Sequence, residues 1–292
     1  MIFFTHLING LQLGSIYALV ALGYTMVYGI IKLLNFAHGD VIMVGAYIAL
    51  FALTSGMSPI VASVLTVLGC TLLAIIMEKL AYSPLRFAPR LSLLITAIGL
   101  SLLLQNLAQF FFTADVRGFP GHLLFPAGSI PLGGVMVTYT SIITILLSIA
   151  SMIGLHILVK STKLGKAMRA VSEDTGAAQL MGVNVNHIIT FTFAVGAALA
   201  GIGALLYSVR FPVILPGIGA MLGLKAFVAA VFGGIGSIPG TMVGGYAIGL
   251  LEIAVAALGL SAWVDGVVFL LLILVLMVRP TGLMGRPIME KV

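Results

Sequence analysis

The chain has 292 residues, of which 61% are hydrophobic and only 8% charged, and its formal net charge is +6. Soluble domains carry roughly 25% charged residues, so this composition excludes a soluble globular protein and predicts an all-α polytopic membrane protein. The basic residues are spread among loops, which excludes a nucleic-acid-binding protein, and the single cysteine, Cys70, excludes an intrachain disulfide or a thiolate metal cluster.

Apolar runs divide the chain into up to nine segments, within a single membrane domain that covers residues 1–292. The first segment, residues 8–31, is predicted to be a retained helix, because no Lys or Arg precedes it to begin a signal peptide. A spanning helix needs about 20 residues. Several segments are shorter, so we expect eight to ten helices that span the membrane fully or partly. The later segments are 41–54, 59–78, 91–112, 139–159, 188–208, 223–233, 241–258 and 263–278.

Three groups of basic residues predict the orientation of these helices: Lys79, Arg86 and Arg90; Lys160, Lys163, Lys166 and Arg169; and Arg279, Arg286 and Lys291. The positive-inside rule places all three groups in the cytoplasm. Residues 160–187 are therefore a predicted cytoplasmic region, and residues 279–292 are a predicted cytoplasmic tail. Residues 113–138 contain three prolines, which forbid a continuous helix, and they form the predicted outer loop.

The stretch "NFAHGD", residues 35–40, interrupts the apolar sequence between the first two segments. Two interpretations remain open. Asn35, His38 and Asp40 form a short solvated turn at the cytoplasmic face, or they form a polar break inside the membrane. Irregular backbone at membrane depth survives only against protein or water, so in the second interpretation these residues line a translocation pathway and His38 pairs with Asp40. Two candidate ligands without a third do not make a metal site.

A short echo suggests that the chain has two related halves. The sequence "MVGAY" at residues 43–47 reappears as "MVGGY" at residues 242–246, and each copy follows a break, "NFAHGD" or "GGIGSIPG". Both copies begin segments that are predicted to run outward, which predicts a parallel repeat. Short, interrupted segments at matching positions point to a transport pathway. We therefore add Gly234 and Gly236, from the second break, to the predicted pathway.

Glu252 is an acidic residue within a predicted span, about 15 Å along its helix from Met242. A carboxylate at that depth faces the interior of a helix bundle, so Glu252 also joins the predicted pathway. Lys225 is a nearby basic residue in the sequence, and Asp265 is predicted to lie at the membrane interface. Glycine and alanine at four-residue spacing in "AVGAALAGIGALL" and "GTMVGGYAIG" predict close helix packing rather than ligand binding.

Residues 160–188 form a long segment with dense charge, which is typical of helices that lie on the membrane surface. Basic residues come first, the acidic pair Glu173 and Asp174 follows, and apolar residues then precede Gly182. Two interpretations are open: a solvated connector attracted to anionic membrane lipid, or a docking element with an apolar contact face and a charged rim.

The sequence contains none of the catalytic motifs considered. Gly165 and Lys166 lack the remainder of a Walker A motif, and neither HExxH nor GxSxG occurs. We therefore expect a chain that is not an enzyme and that holds no metal or cofactor of its own.

Five stretches occur in order along almost the whole chain: "LGSIYALVALGYTMVYGIIKLLNFAHGD", "ITAIGLSLLLQN", "LGKAMRAVSEDTGAAQLMGVN", "GLKAFVAAVFGGIGSIPGTMVGG" and "RPTGLMGRP". Together they resemble the LivH-type permease subunits of bacterial ABC importers for branched-chain amino acids. The resemblance implies a multi-pass subunit of the bacterial inner membrane. It also implies four partners: a second related permease (LivM-like), two cytosolic ATPases (LivG- and LivF-like) that bind ATP and Mg, and a periplasmic amino-acid binding protein.

ABC importer permeases carry an EAA-x-x-x-G segment that couples them to their ATPases. In this sequence Ala177, Ala178 and Gly182 keep that spacing, while Gly176 replaces the acidic residue. The resemblance therefore implies an ATPase-coupling site at these residues, with Arg169, Glu173 and Asp174 beside them.

A second function also fits the breaks, because broken repeats indicate a pathway and not an energy source. An ion-coupled secondary amino-acid transporter or channel would use His38, Asp40 and Glu252 as a proton relay. The charged segment at 160–188 distinguishes the two functions, since an ion-coupled transporter needs no docking element.

Overall fold

A computed structural model describes residues 2–32, 34–86, 88–132 and 135–285. Four short strands, β1 (Arg117–Gly118), β2 (Ser129–Leu132), β3 (Val135–Thr138) and β4 (Val213–Ile214), pair antiparallel as β1 with β4 and β2 with β3. The helices of these ranges are α1 (Ile2–Ile31), α2 (His38–Thr54), α3 (Pro59–Met77), α4 (Arg90–Phe112), α5 (Gly121–Leu124), α6 (Tyr139–Ser161), α7 (Lys163–Glu173), α8 (Thr175–Leu180), α9 (Val185–Arg210), α10 (Ile218–Gly233), α11 (Ile238–Ala257) and α12 (Val264–Val278).

The predicted all-α membrane architecture is confirmed. In the described part of the chain, seven helices are long and apolar enough to cross a membrane, and α2 and α10 are shorter apolar helices. These nine helices correspond to the nine predicted segments. The main differences are that α1 begins at Ile2 rather than at residue 8, and that α10 begins at Ile218 rather than at residue 223. Gly217, with a φ of 89°, makes the turn directly before α10, a conformation that costs glycine little.

Helix α1 lies at the centre of the bundle, and its residues from Leu13 to Val27 are buried. Its neighbour α11 approaches closely because glycines face it. A Cβ atom added at Gly14 would lie 2.8 Å from the Cα of Tyr246, and one added at Gly245 or Gly249 would collide with the α1 backbone. The predicted packing role of the small residues is thereby confirmed, as expected where no hydrophobic effect drives helices together.

The order of elements repeats in two parts of the chain. In each part a long helix is followed by a break, a short helix and another long helix: α1, α2 and α3 in the first, and α9, α10 and α11 in the second. The short helices cross where Gly39 and Gly219 face each other, because a Cβ added to either would collide with the carbonyl of the other. The Gly217 N–H also donates to Met43 Sδ at 3.1 Å.

These contacts correct the predicted parallel repeat. The beginning of α10 lies beside Met43, and the later residue Gly223 lies against Gly39, so α2 and α10 run antiparallel. Helix α10, not α11, is therefore the structural counterpart of α2. An antiparallel pair of short helices between similar neighbours is the arrangement of an inverted-topology repeat.

Candidate functional site

Residues 34–37 of the first break lead back into the bundle at the start of α2. Asn35, His38 and Asp40 are all buried, and the Tyr82 hydroxyl donates to Asn35 Oδ1 at 2.8 Å. Tyr82 belongs to a π-helical turn, Glu78–Tyr82, that extends α3. These three polar residues are therefore enclosed by protein, as polar groups at membrane depth require, whereas Lys32 before them is exposed.

Asp40 receives its hydrogen bonds from α4. Ser101 Oγ donates to Asp40 Oδ2 at 2.5 Å, and Gln105 Nε2 donates to Asp40 Oδ1 at 3.0 Å. The ring of His38 instead packs edge-on against Tyr24, with centroids 4.7 Å apart, and its Nε2 atom has no hydrogen-bond partner among the described residues. The suggested pairing of His38 with Asp40 is therefore wrong, because α4 supplies the polar groups that the carboxylate needs.

Glu252 lies in a second buried polar cluster. Lys225 Nζ is 3.0 Å from Glu252 Oε1, and the Tyr17 hydroxyl lies 3.1 Å from both carboxylate oxygens. Lys225 also bonds to Asp265 Oδ1 at 2.7 Å. These contacts join α1, α10, α11 and the start of α12, and they pair a charge that would otherwise be costly at this depth.

The glycines of the break between α10 and α11 lie beside the C-terminal end of α1, because a Cβ atom added at Gly236 would be 3.9 Å from the Cα of Gly29. Gly234 and Gly236 have φ values of 107° and 92°, and Leu283 N and Met284 N of the tail donate to the carbonyls of Phe232 and Gly233 at 2.9 and 3.0 Å. The residues of the predicted pathway thus occupy three separate places: the first break, this glycine break and the cluster around Glu252. The tail residues Arg286 and Lys291 lie outside the described residues.

Residues 160–187 form a helix–turn–helix. Arg169 Nη1 donates to the carbonyls of Val159 and Lys160 at 2.9 and 3.2 Å, which joins α7 to the end of α6. Asp174 Oδ1 accepts from Gly176 N and Ala177 N at 2.9 and 3.0 Å, which begins α8.

The end of α8 is an apolar tip. Gly182 ends the turn with a φ of 81°. Ala178 is buried whereas Glu173 is exposed, and α8 contacts both α7 and α9. Leu180 is 91% exposed, and Met181 beside it is similarly exposed. The predicted coupling residues therefore surround two projecting apolar side chains, a geometry that suits a groove on another protein.

Sequence reasoning missed a third polar network, which joins the end of α3 to the start of α9. The buried Glu78 forms an ion pair with Arg86, and Thr190 Oγ1 donates to Glu78 Oε2 at 2.7 Å. Arg86 also donates to Asn186 Oδ1. The sequence feature that could have predicted this network is Glu78, an acidic residue at the end of an apolar helix, with Arg86 eight positions later.

A cavity of about 530 Å³ lies beside the first break, between this network and α4. Lys32 and Arg86 contribute charge to its lining, and Leu34, Leu93 and Phe193 contribute apolar surface. Within the described ranges, no three His, Cys, Asp or Glu side chains are placed to hold a metal ion.

Comparison with known proteins identifies the family. The model of a family described as "Branched-chain amino acid transport system / permease component" matches residues 6–277, which is almost the whole chain. The chain belongs to this family. The resemblance to these permeases is thereby confirmed, and the family match gives no support to the ion-coupled alternative.

Two curated relatives of this permease match over nearly their full length. BraD of Pseudomonas aeruginosa is 44% identical over 299 residues, which cover 98% of this chain and 97% of BraD. LivH of Salmonella typhimurium is 42% identical over 303 residues, which cover 99% and 98%. Both are described as permease proteins of high-affinity branched-chain amino acid transport systems. The permease is thus a multi-pass protein of the inner membrane, and its family consists of transport subunits rather than enzymes.

Proposed function

We propose that this permease is the membrane-spanning subunit of an ATP-driven importer for leucine, isoleucine and valine. The observation that carries the proposal is the match to BraD and LivH over the whole chain. The subunit does no chemistry itself and holds no cofactor. ATP and Mg bind to two partner ATPases on the cytoplasmic side.

The helix–turn–helix of α7 and α8 is the proposed docking site for an ATPase. Its apolar tip, Leu180 and Met181, would enter a groove of the ATPase, while Glu173 and the lysines of α7 would form a charged rim. Arg169 supports the site from behind, because its bonds to the end of α6 make α7 and α6 move together.

The remaining partners follow from the same proposal. A second, related permease completes the translocation pathway, and a periplasmic binding protein delivers the amino acid. The three basic groups face the cytoplasm together with the C-terminus, where they also contact anionic lipid.

The proposed pathway is bordered by residues of three places: the break before α2, the break between α10 and α11, and the Glu252 cluster. Asn35, His38 and Asp40 are buried, so they hold α2 in place behind the pathway. Gly234 and Gly236 permit the sharp turn at its cytoplasmic end. Movement between outward-open and inward-open states requires that ATP-bound ATPases hold one state more tightly than the other.

Reconstitution tests the proposal. The permease, its partner permease and both ATPases are placed in proteoliposomes with the binding protein, and uptake of labelled leucine is measured. We expect uptake to need ATP and to be unaffected by collapse of pH or sodium gradients. Gradient-driven uptake by the permease without ATPases would show the ion-coupled alternative instead.

A further inference from the structure

The break before α10 exposes two apolar side chains, although Ile214 and Pro216 beside them are buried. Val213 and Leu215 are 42% and 37% exposed, whereas Asn35 and Ala37 of the first break are buried. Helix α10 has 16 residues and rises about 24 Å, less than the ~30 Å of hydrocarbon. Its first residues therefore lie below the outer membrane surface, while β4 just before it pairs with β1 of the predicted outer loop.

The backbone of this break is hydrogen-bonded to β1, and the outer loop that carries β1 is irregular chain that does not border lipid. The exposed side of this break must face water or protein. The same side continues along α10 as a strip of partly exposed apolar residues at helical spacing: Leu215, Ile218, Met221 and Leu224. This strip is the kind of surface along which a small aliphatic solute could pass.

The strip ends at a pair of opposite charges. Lys225 follows Leu224 directly, and its ammonium group lies 3.0 Å from Glu252. The side chains of Lys225 and Glu252 retain 14% and 8% exposure, so the pair is largely buried but not closed off. Both signs of charge thus meet beside an apolar surface.

A branched-chain amino acid has the complementary pattern. It carries a carboxylate and an ammonium group on one carbon and an aliphatic side chain on the other side. We propose that Lys225 and Glu252 form a binding station for the zwitterionic head of the passing amino acid, with its side chain on Met221 and Leu224. Lys225 would receive the carboxylate and Glu252 the ammonium group. This inference rests on the proposed import function and names where its substrate binds.

The same pair could instead act only as a structural tie between α10 and α11. Lys225 also bonds to Asp265 at the start of α12, but Asp265 is 47% exposed, so its charge stays solvated when Lys225 is replaced. The two roles predict different results when both charges are removed. A tie that loses one partner leaves an unpaired buried charge, which is strongly destabilising, and removal of both partners relieves that cost. A binding station that loses both charges has lost the two groups that bind the amino acid, so leucine binding stays low in the double variant.

The test uses the complete importer in nanodiscs without the binding protein. Binding of labelled leucine is competed with leucinamide, which lacks the carboxylate, and with 4-methylpentanoate, which lacks the ammonium group. We expect unlabelled leucine to compete at least tenfold better than either analogue. Lys225→Met should lower leucine binding in nanodiscs at least tenfold, and it should lower ATP-driven import to the same extent in proteoliposomes that contain the binding protein.

Two further variants separate the roles. Lys225→Met combined with Glu252→Gln should assemble with the ATPases yet remain at least tenfold below wild type in leucine binding. Glu78→Gln, the matched change in the ion pair at the other end of the bundle, should lower yield without a change in leucine affinity.

Recovery of binding and import in the double variant would overturn the proposal. The proposal would also be overturned if both analogues competed as well as leucine does. Loss of the second permease from the Lys225→Met complex would overturn it too, because it would show that Lys225 lies at the interface between the two permeases. Failure of the wild-type importer to take up leucine with ATP would overturn the proposed function itself, and it is therefore distinguishable from failure of the binding station.

Discussion

Truncation of Leu180 tests whether the tip of α8 docks an ATPase. Leu180 is 91% exposed, so Leu180→Ala should leave the folding of the permease unchanged. If the side chain enters an ATPase groove, it becomes buried only in the complex. The substitution therefore changes the free energy of association and not the free energy of unfolding.

The size of the effect follows from the area that docking would bury. Full burial of a leucine side chain stabilises by about 1.5–3 kcal/mol, and truncation to alanine removes most of that amount, about 2 kcal/mol. Since every 1.4 kcal/mol is a factor of ten, the ATPase should bind roughly 30-fold more weakly.

The assay is titration of labelled ATPase against the purified permease pair, with thermal unfolding of the permease measured in parallel. Leu80→Ala is the matched control, because Leu80 is also an exposed leucine, at 75%, but lies on the π-helical turn after α3. An ATPase affinity within threefold of wild type for Leu180→Ala, or an equal loss for Leu80→Ala, would refute docking at this tip.

Three other substitutions test the remaining geometry. Gly182→Val should reduce import several-fold, because a β-branched residue resists the φ of 81°. Gly182→Asn should retain more activity, because asparagine tolerates that region of φ. Uptake assays compare the two variants, and an equal loss of import would contradict the backbone argument. Gly219→Val should destabilise the permease by about 1–3 kcal/mol or more, since any Cβ there collides with the Gly39 carbonyl; unchanged thermal unfolding would contradict the helix crossing. Asn35→Ala should cost about 1–3 kcal/mol because the buried Tyr82 hydroxyl loses its acceptor, and addition of Tyr82→Phe should recover part of the loss in the same unfolding assay.

The helices were predictable because their limits depend on local chemistry. Prolines, glycines and basic residues bound each apolar run, and Ser58, Thr138, Asn184 and Ser237 accept hydrogen bonds at the starts of α3, α6, α9 and α11. Glu252 was also predictable as a buried group, since a carboxylate within an apolar span has to face the bundle. Its bond to Tyr17 was not predictable, because the two residues are 235 positions apart.

The predicted pairing of halves failed for a specific reason. The echo "MVGAY" and "MVGGY" reflects a shared packing need rather than an equivalent position. Gly45 allows α2 to approach Cys70 and Ala204, while Gly245 allows α11 to approach Ala18 of α1. Helices that must pack closely in a membrane select the same small residues, so a short likeness does not identify symmetry-related segments. The contact of Gly39 with Gly219 does identify symmetry-related segments, but the contact exists only in the folded chain and cannot be read from the sequence.

The place of α7 and α8 in the chain gives the proposed coupling a mechanical basis. They follow α6, at the end of the first half, and lead directly into α9, the first helix of the second half. Arg169 joins α7 to α6, and α8, whose Ala178 is buried, contacts both α7 and α9. A force on Leu180 therefore reaches both halves at their junction. Because α9 leads to α10, the same displacement would move the strip that carries Met221 and Lys225, together with α2, which packs against α10 at Gly39 and Gly219.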